Sequence, residues 1–245
     1  MTYSGGYEKC AHLYDLFDTK DNIDFFAKYA LKAKEILDVG AGTGRIAIPI
    51  AGMGARVICI EPSPAMRKEF AKKLALMTVP SANIEIFNGD AISFNLNRTF
   101  PAAFMSGSFD HLLNIEERLD ALSNINKHLE DNGELIFDIF LGLMRNSPIM
   151  PAGKVSEGSL EYRRLVGSNP LDDNTIEITL IFETYSHGQL ISQIEEKSLV
   201  GITNRQEIHN LLKNSGFQIR HEFGDYDFSP FKEGDSTLII EAKKE

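Results

Sequence analysis

The sequence lacks the features that define several classes of protein. It has two cysteines, Cys10 and Cys59, in 245 residues, which is too few for a disulfide framework. No apolar run reaches the roughly 20 residues that a membrane-spanning helix needs. Residues 1–9 are too polar to form a secretory signal. Together these absences predict a cytoplasmic protein that does not enter a membrane.

Basic residues are also scarce. The chain carries 25 Lys and Arg against 35 Asp and Glu, which gives a formal net charge of −10. No run of basic residues is visible. Because nucleic-acid binding draws on clustered Lys and Arg, the charge argues against a nucleic-acid partner. A chain of this length can bury one substantial core, so we expect a single domain over residues 1–245.

The chain is organised around the stretch that starts at Glu35. A short apolar run ends at Asp38 and Val39 and is followed by three alternate glycines, Gly40, Gly42 and Gly44. Residues at helical spacing then resume. This pattern predicts a buried parallel strand, a tight turn and the start of a helix. Glycines let the backbone turn sharply and let a ligand lie against the main chain, and the helix behind the turn offers unpaired N–H groups.

Strands and helices alternate after this turn. Strands are predicted at residues 56–60, 83–87, 100–105 and 134–140, and two more at 217–223 and 236–242. Such alternation indicates an α/β protein with a mostly parallel sheet. Glu61 ends the second strand about twenty residues after the glycines, where a carboxylate can accept both ribose hydroxyls of a nucleoside. Dinucleotide-binding folds share this feature, so it predicts a nucleoside and not a particular one.

A dinucleotide-dependent dehydrogenase is the first alternative. Its fingerprint has the spacing G-x-G-x-x-G, but Arg45 occupies the place of the third glycine. Asp38 also precedes the first glycine. A carboxylate there suits a ligand that carries an ammonium and a sulfonium, and suits a pyrophosphate poorly. The dehydrogenase reading is therefore disfavoured.

The stretch from Glu35 to Arg45 resembles motif I of class I S-adenosylmethionine (SAM) dependent methyltransferases. The resemblance covers nearly the whole chain and implies a Rossmann-like, seven-stranded, mostly parallel sheet of order 3-2-1-4-5-7-6 with helices on both faces. It implies SAM as cofactor and S-adenosylhomocysteine as product. It also implies that Asp90 bonds the adenine amino group and that the next backbone N–H reads a ring nitrogen. The implied cofactor-binding residues are Tyr7, Asp38, Gly40, Ala41, Gly42, Gly44, Arg45, Glu61, Pro62, Asp90, Ala91, Met105 and Ser106.

The loop after the fourth strand holds the candidate base. Ser108-Phe109-Asp110-His111 matches the Ser-x-x-His pattern of deoxyaminosugar N-methyltransferases and their relatives. Histidine titrates near neutrality and suits proton transfer, although a lone histidine near a helix start is more often structural. The resemblance makes His111 a candidate catalytic residue. In the predicted helical cap, residues 1–34, it implies that Tyr14 packs against the methyl group and that Tyr7 lies near the cofactor; the competing interpretation is plain aromatic packing.

Residues 143–202 show a different pattern. Apolar residues alternate from Ile176 to Phe182, and His187-Gly188 is a hairpin turn signal. We expect a three-stranded antiparallel insert with one apolar face. That face must cover the mouth of the active site or a second subunit, so the insert is expected to be a lid or the interface of a homodimer.

The acceptor is expected to be a small molecule. The chain lacks the Asn/Asp-Pro-Pro-Tyr/Phe motif that binds a flipped base and the Pro-Cys nucleophile of C5-pyrimidine methylation. It also lacks clustered His, Cys and Asp spacing for a metal. The expected reaction is methyl transfer to a nitrogen or oxygen of the acceptor. A methyltransferase acting on RNA or protein, and a non-catalytic SAM-binding protein, remain as alternatives.

Overall fold

The computed structural model describes residues 7–17, 21–77, 83–141 and 146–245. In chain order the strands are β1 (Glu35–Val39), β2 (Arg56–Glu61), β3 (Ile84–Asn88), β4 (Phe100–Met105), β5 (Leu129–Phe140), β6 (Ser147–Glu157), β7 (Leu160–Pro170), β8 (Thr175–Ser186), β9 (Gln189–Gly201), β10 (Phe217–Phe223) and β11 (Thr237–Lys244). The α-helices are α1 (Ile23–Ala33), α2 (Ala47–Gly52), α3 (Pro64–Leu76), α4 (Ile115–Lys127) and α5 (Arg205–Asn214). Two 3-10 helices, Ala11–Phe17 and Phe109–His111, lie beside the site described below.

The larger sheet has seven strands in the order β3-β2-β1-β4-β5-β11-β10. Strands β1 to β5 pair in parallel, while β11 runs antiparallel to both β5 and β10. This is the predicted order 3-2-1-4-5-7-6, with β10 and β11 as the sixth and seventh strands of the sheet. The α/β, Rossmann-like fold predicted from the sequence is therefore confirmed. In such a sheet, ligands bind beyond the carboxyl ends of the strands.

Both faces of the central strand are buried, as expected for a parallel sheet covered by helices. Successive side chains of a strand point to opposite faces. Accordingly, Leu37 and Val39 of β1 pack into one apolar cluster and Ile36 packs into another. The buried centre of the sheet thus places Asp38 and the glycine turn at the edge formed by the carboxyl ends of the strands.

The starts of three helices follow the expected capping chemistry. Ser63 accepts a hydrogen bond from the Met66 amide, and Pro64 is the first residue of α3. The Asn114 side chain likewise accepts from the Glu117 amide at the start of α4, and Asn204 caps α5. Helix α2 departs from expectation, because it begins at Ala47 rather than near Gly44.

A second sheet, in the order β6-β7-β8-β9, is antiparallel and has four strands rather than the three expected. The strand that sequence analysis missed is β6. It contains Pro148, Pro151 and Gly153 and is exposed along nearly its whole length, so it shows no apolar alternation. The turn predicted at His187-Gly188 is confirmed, with positive φ angles of 49° and 80°.

A third, smaller apolar cluster joins the amino-terminal segment to this second sheet. Cys10 and Leu13 pack there against Phe182 of β8. The segment, predicted to be helical, forms the 3-10 helix Ala11–Phe17 and then α1. Residues 1–6 and 18–20 of the predicted cap and residues 143–145 of the predicted insert lie outside the described residues. In the part of the chain described, no helix has the length and apolar character needed to cross a membrane.

Candidate active site

One cavity lies at the carboxyl ends of β1, β2 and β4. Its empty space, counted together with the solvent at its mouth, is about 1180 Å³. The predicted site residues that line it are Tyr7, Tyr14, Asp38, Gly40, Ala41, Gly42, Arg45, Glu61, Pro62, Asp90, Ala91, Met105, Ser106 and His111. Gly44 is not among the lining residues.

The three glycines of the turn serve three different purposes. A Cβ on Gly44 would lie 2.2 Å from a ring carbon of Phe70, so Gly44 allows helix α3 to pack closely. A Cβ on Gly40 would lie 2.6 Å from the Cβ of Ser108. A Cβ on Gly42, by contrast, would meet no described atom within 4 Å, although Gly42 lines the cavity. Only Gly42 leaves space that a ligand, rather than the protein, can fill.

Asp38 is a buried carboxylate, with 4% of its surface exposed. Burial raises its pKa to about 7, the charge of Glu61 adds to the rise, and the charge of Arg45 opposes it. No hydrogen bond from a described residue contributes to this pKa. A cationic ligand group, such as an ammonium, could pair with this carboxylate.

Glu61, at the tip of β2, is also buried. One carboxylate oxygen accepts from the Gly42 amide and the other from the Ser63 amide, both at 2.8 Å. Its pKa is raised mainly by burial, and the two amide bonds oppose the rise. Each carboxylate oxygen can accept about two hydrogen bonds, so Glu61 keeps capacity for the two hydroxyls of a ribose.

Asp90 follows β3 and shapes the turn in which it lies. One of its oxygens accepts from the amides of Ile92 and Ser93 at 3.0 and 2.8 Å. The Ala91 carbonyl accepts from the Asn124 side chain at 3.1 Å. Turn chemistry therefore explains part of the sequence signal at this position, and the same turn forms a wall of the cavity.

Aromatic side chains form the opposite wall. The Tyr7 ring packs edge-on against Tyr14 and against His111, with ring centroids 5.2 and 5.7 Å apart. The Tyr7 hydroxyl lies 3.5 Å from His111 Nε2, and His111 Nδ1 lies 3.4 Å from the Leu199 carbonyl oxygen. Burial lowers the pKa of His111, an effect that the bond to Leu199 opposes. A neutral imidazole that faces a cavity can accept a proton.

The amino-terminal segment is attached to the sheet at several points above the cavity. Thr43 donates to Asp15 at 2.7 Å, and Lys73 forms an ion pair with the same carboxylate. Ser63 donates to Glu8 at 2.8 Å. These bonds hold Tyr7 and Tyr14 over the glycine turn, which helps to shield the cavity from water.

A buried polar group that was not predicted from the sequence lies behind the cavity. Asp138 of β5 is fully buried and accepts from the Ser106 hydroxyl at 2.9 Å, the Gly107 amide at 2.6 Å and the Tyr226 hydroxyl at 2.9 Å. Burial raises its pKa, and these bonds oppose the rise. Asp138 thereby holds the turn that follows β4. The signal in the sequence was one acidic residue in the middle of an apolar strand, Ile136 to Phe140.

The site as a whole fits a nucleoside that carries an ammonium group. A buried carboxylate whose pKa is raised by burial, a second carboxylate at a strand tip and an open position at Gly42 all face one cavity. Among the described residues, no three His, Cys, Asp or Glu side chains are grouped so that they could hold a metal ion.

Solved structures with a closely similar fold cover nearly the whole chain. CcbJ, a methyltransferase of Streptomyces caelestis, covers 100% of this chain and 98% of its own at 18% identity, with a TM-score of 0.81. A SAM-dependent methyltransferase of Clostridium acetobutylicum ATCC 824 covers 97% and 98% at 17% identity, with a TM-score of 0.78. SAM-bound CalS10 of Micromonospora echinaspora, an amino pentose methyltransferase, covers 97% and 96% at 18% identity, with a TM-score of 0.74. The fold is that of the class I SAM-dependent methyltransferases.

The sequence is also similar to sequences of methyltransferases. Residues 36–133 match the model of a family described as "Methyltransferase domain". An uncharacterized methyltransferase of Alkaliphilus oremlandii is 34% identical over 41% of this chain and 43% of its own length. The uncharacterized methyltransferase YrrT of Bacillus subtilis is 32% identical over 42% and 45%. The chain thus spans less than half the length of these curated relatives. Residues 36–133 thus match a methyltransferase domain, and the whole chain has the fold of SAM-dependent methyltransferases.

Proposed function

We propose that this protein transfers a methyl group from SAM to a nitrogen or oxygen atom of a small-molecule acceptor. The observation that carries the proposal is the composition of one cavity. One wall holds Asp38, Gly42 and Glu61, which suit the cofactor, and the other holds Tyr7, Tyr14 and His111. A cofactor and an acceptor bound in this cavity would lie side by side.

The roles of the cofactor wall follow from its chemistry. Asp38 would pair with the ammonium group of SAM, and Glu61 would accept from its ribose hydroxyls. Asp90 and the Ala91 amide would contact the adenine. Arg45 lies near enough to Asp38 to lower the pKa of that carboxyl, so we assign it to support of the buried carboxylate as well as to the wall of the site.

SAM, when bound, supplies a methyl group that its sulfonium already activates. The chain therefore has to align the acceptor, exclude water and remove a proton where the acceptor carries one. His111 would accept that proton. The faces of Tyr7 and Tyr14 would attract positive charge near the methyl group.

A small acceptor suits the partly covered site and the acidic composition of the chain. The amino-terminal segment and the loop at His111 cover the cavity, and the net charge of −10 disfavours a polyanion. Two proteins of similar fold support an amine acceptor, since CalS10 is described as an amino pentose methyltransferase and KedS8 of Streptoalloteichus as a sugar N-methyltransferase.

A screen for S-adenosylhomocysteine release tests the proposal. The purified chain, residues 1–245, is incubated with SAM and libraries of amines, amino sugars, hydroxylated small molecules, total RNA and protein extract. We expect turnover with a member of the small-molecule libraries. Turnover only with RNA or protein would contradict the small-molecule assignment. Tight SAM binding without turnover in any library would favour a non-catalytic role.

A homodimer through the second sheet stays a prediction. Large apolar side chains are exposed on its outer strands, namely Ile149, Met150, Leu190 and Ile191. Analytical ultracentrifugation of the native chain and of a Met150→Glu, Ile149→Glu double variant would test it. We expect a dimer that the variant dissociates, and a monomeric native chain would contradict the prediction.

A further inference from the structure

The environment of His111 shows how its ring is held. The short 3-10 turn Phe109–His111 lies beside β9, the last strand of the second sheet, and His111 Nδ1 is 3.4 Å from the Leu199 carbonyl oxygen. A carbonyl oxygen can only accept a hydrogen bond. The hydrogen of a neutral ring must therefore be on Nδ1 for this bond to exist, which leaves Nε2 with its lone pair. The Tyr7 hydroxyl lies 3.5 Å from that nitrogen, on the cavity side.

We propose that β9 orients the candidate base: the Leu199 carbonyl holds His111 as the Nδ1–H tautomer with Nε2 as the proton acceptor, and Arg118 is the positioning residue that fixes β9 to the loop carrying His111. The inference rests on the proposed function in so far as His111 acts as the base. It gives the second sheet a part in catalysis, beyond its part as a cover.

Arg118 connects the loop that carries His111 to the end of β9. Its side chain is 2% exposed. Nε donates to the Leu112 carbonyl, directly after His111, and Nη2 donates to the Ile202 carbonyl, directly after β9, each at 3.1 Å. Nη1 pairs with Glu207 of α5 at 2.6 Å. The planar guanidinium makes all three bonds at fixed angles, which a lysine cannot reproduce.

The close approach of β9 to the loop is visible at Gly201. A Cβ on this glycine would lie 2.6 Å from the Leu112 carbonyl oxygen and 2.6 Å from Arg118 Nη2. The chain has room for hydrogen alone at this point. A methyl group there would push the end of β9 away from the loop, and the carbonyl of Leu199, two residues earlier, would move with it.

With Nδ1 bonded to the Leu199 carbonyl, the proton released by the acceptor would go to His111 Nε2. The acceptor loses its proton to Nε2, and the ring becomes an imidazolium that keeps its Nδ1–H bond to the Leu199 carbonyl. The ring then releases the Nε2 proton to solvent and returns to the same tautomer. A backbone carbonyl on the second ring nitrogen sets the tautomer and orientation of a histidine. The bond to Leu199 also raises the pKa of His111 against the lowering by burial.

Nuclear magnetic resonance tests the tautomer without any need for turnover. Long-range ¹H–¹⁵N correlation on the ¹⁵N-labelled full chain at pH 8 distinguishes the two neutral forms, and a His111→Gln variant assigns the signal. We expect His111 to be the Nδ1–H form. The Nε2–H form, or an equal mixture, would overturn the inference even if the protein methylates a small molecule. Failure of every acceptor would instead remove the proposed function and leave this measurement valid.

Variants test the role of Arg118. We expect Arg118→Lys and Gly201→Ala to lower kcat by about 10- to 100-fold, because a displacement of about 1 Å in a catalytic group costs up to about that much. The Kd for SAM should change less than about twofold, which also shows that the variants fold. The tautomer signal should become mixed. Arg205→Lys is the matched control, since the half-exposed Arg205 pairs with Glu222 and stacks on Phe231, both outside the loop that carries His111.

Two outcomes would count against Arg118. A folded Arg118→Lys variant with unchanged kcat and an unchanged Nδ1–H signal would show that the residue does not position His111. If Arg118→Lys does not fold, Glu207→Gln weakens the same bridge by removing its charge partner. We then expect a smaller loss of kcat, about 3-fold, and no loss at all would overturn the assignment.

Discussion

The two walls of the cavity are built in different ways. The cofactor wall comes mainly from the turn after β1 and the tips of β2 and β3, all parts of one stiff parallel sheet. The acceptor wall comes from Tyr7, Tyr14 and His111, which are far apart in sequence. They are held together by ring contacts, by attachment of the amino-terminal segment and by β9. One wall is local and rigid, and the other is assembled over long range.

This contrast predicts that substitutions separate into two groups. Changes in the cofactor wall should alter the Kd for SAM, because they remove contacts to a ligand held by the sheet. A change at His111 of the acceptor wall should alter kcat and leave the Kd for SAM nearly unchanged, because this side chain is assigned to the acceptor and not to the cofactor. A substitution that altered both to a similar extent would show that the walls do not act separately.

The largest effect is expected at His111. His111→Ala should lower kcat by about 100- to 10,000-fold, since it removes the proposed general base, and the Kd for SAM should stay within about twofold. Steady-state kinetics with the acceptor found in the screen measure the first quantity and calorimetry the second. His221→Ala is the control, because His221 is exposed and pairs with Glu241 away from the cavity. Equal rates for His111→Ala and the native chain would make His111 a structural residue.

The next largest effect is expected at Asp38 of the cofactor wall. Asp38→Asn keeps the shape of the side chain and removes its charge, so SAM binding at pH 8 should weaken by about 2–4 kcal/mol, or about 30- to 900-fold. Calorimetry measures it, and Asp120→Asn, on the exposed side of α4, serves as control. An unchanged Kd would mean that Asp38 does not meet the ammonium group.

The glycine turn offers a comparison within the cofactor wall. Gly44→Ala should lower the free energy of unfolding by about 2–4 kcal/mol, because the new Cβ would overlap Phe70 and the φ angle of 76° is unfavourable for alanine. Gly42→Ala should cost about 1 kcal/mol, from its φ angle of 57° alone, but should weaken SAM binding. Denaturant unfolding and calorimetry measure the pair. The reverse ranking of stabilities would contradict the roles assigned here.

The smallest effect is a pH dependence. The pKa of Asp38 is raised to about 7, so its carboxyl is mostly neutral at pH 6 and mostly ionised at pH 8. A cationic ligand prefers the ionised form, so SAM should bind about tenfold more tightly at pH 8 than at pH 6. Calorimetry at the two pH values measures this, and Asp38→Asn should remove the difference. Tighter binding at pH 6 would contradict the assignment.

The difference between local and long-range contacts explains which features the sequence could predict. The strands and the turn at Gly40–Gly44 follow from short patterns, because an apolar run, alternate glycines and a strand-tip acid are local features. The strand order and most of the cofactor wall were expected only from the family resemblance. Gly44, expected to bind the cofactor, does not line the cavity and lies against Phe70 of a separate helix. Local spacing cannot reveal which side chain will face a glycine.

The other features that were not predicted from the sequence depend on pairing or on contacts between residues far apart in the chain. Strand β6 was overlooked because it is an exposed edge strand with two prolines and a glycine, so it pairs with β7 without any apolar alternation. Asp138 is held by Tyr226 from a distant loop, and Arg118 bonds carbonyls on two separate elements. His111 was found only through a family pattern. Its neighbours Tyr7 and Leu199 lie about 100 and 90 positions away.

Titration of the clean, folded chain with SAM in a calorimeter at pH 8 tests the central claim most directly. The account predicts binding of one SAM per chain, weakened by Asp38→Asn and by Gly42→Ala and unaffected by His111→Ala. Absence of heat with folded native protein, or tight binding of NADH in place of SAM, would contradict it.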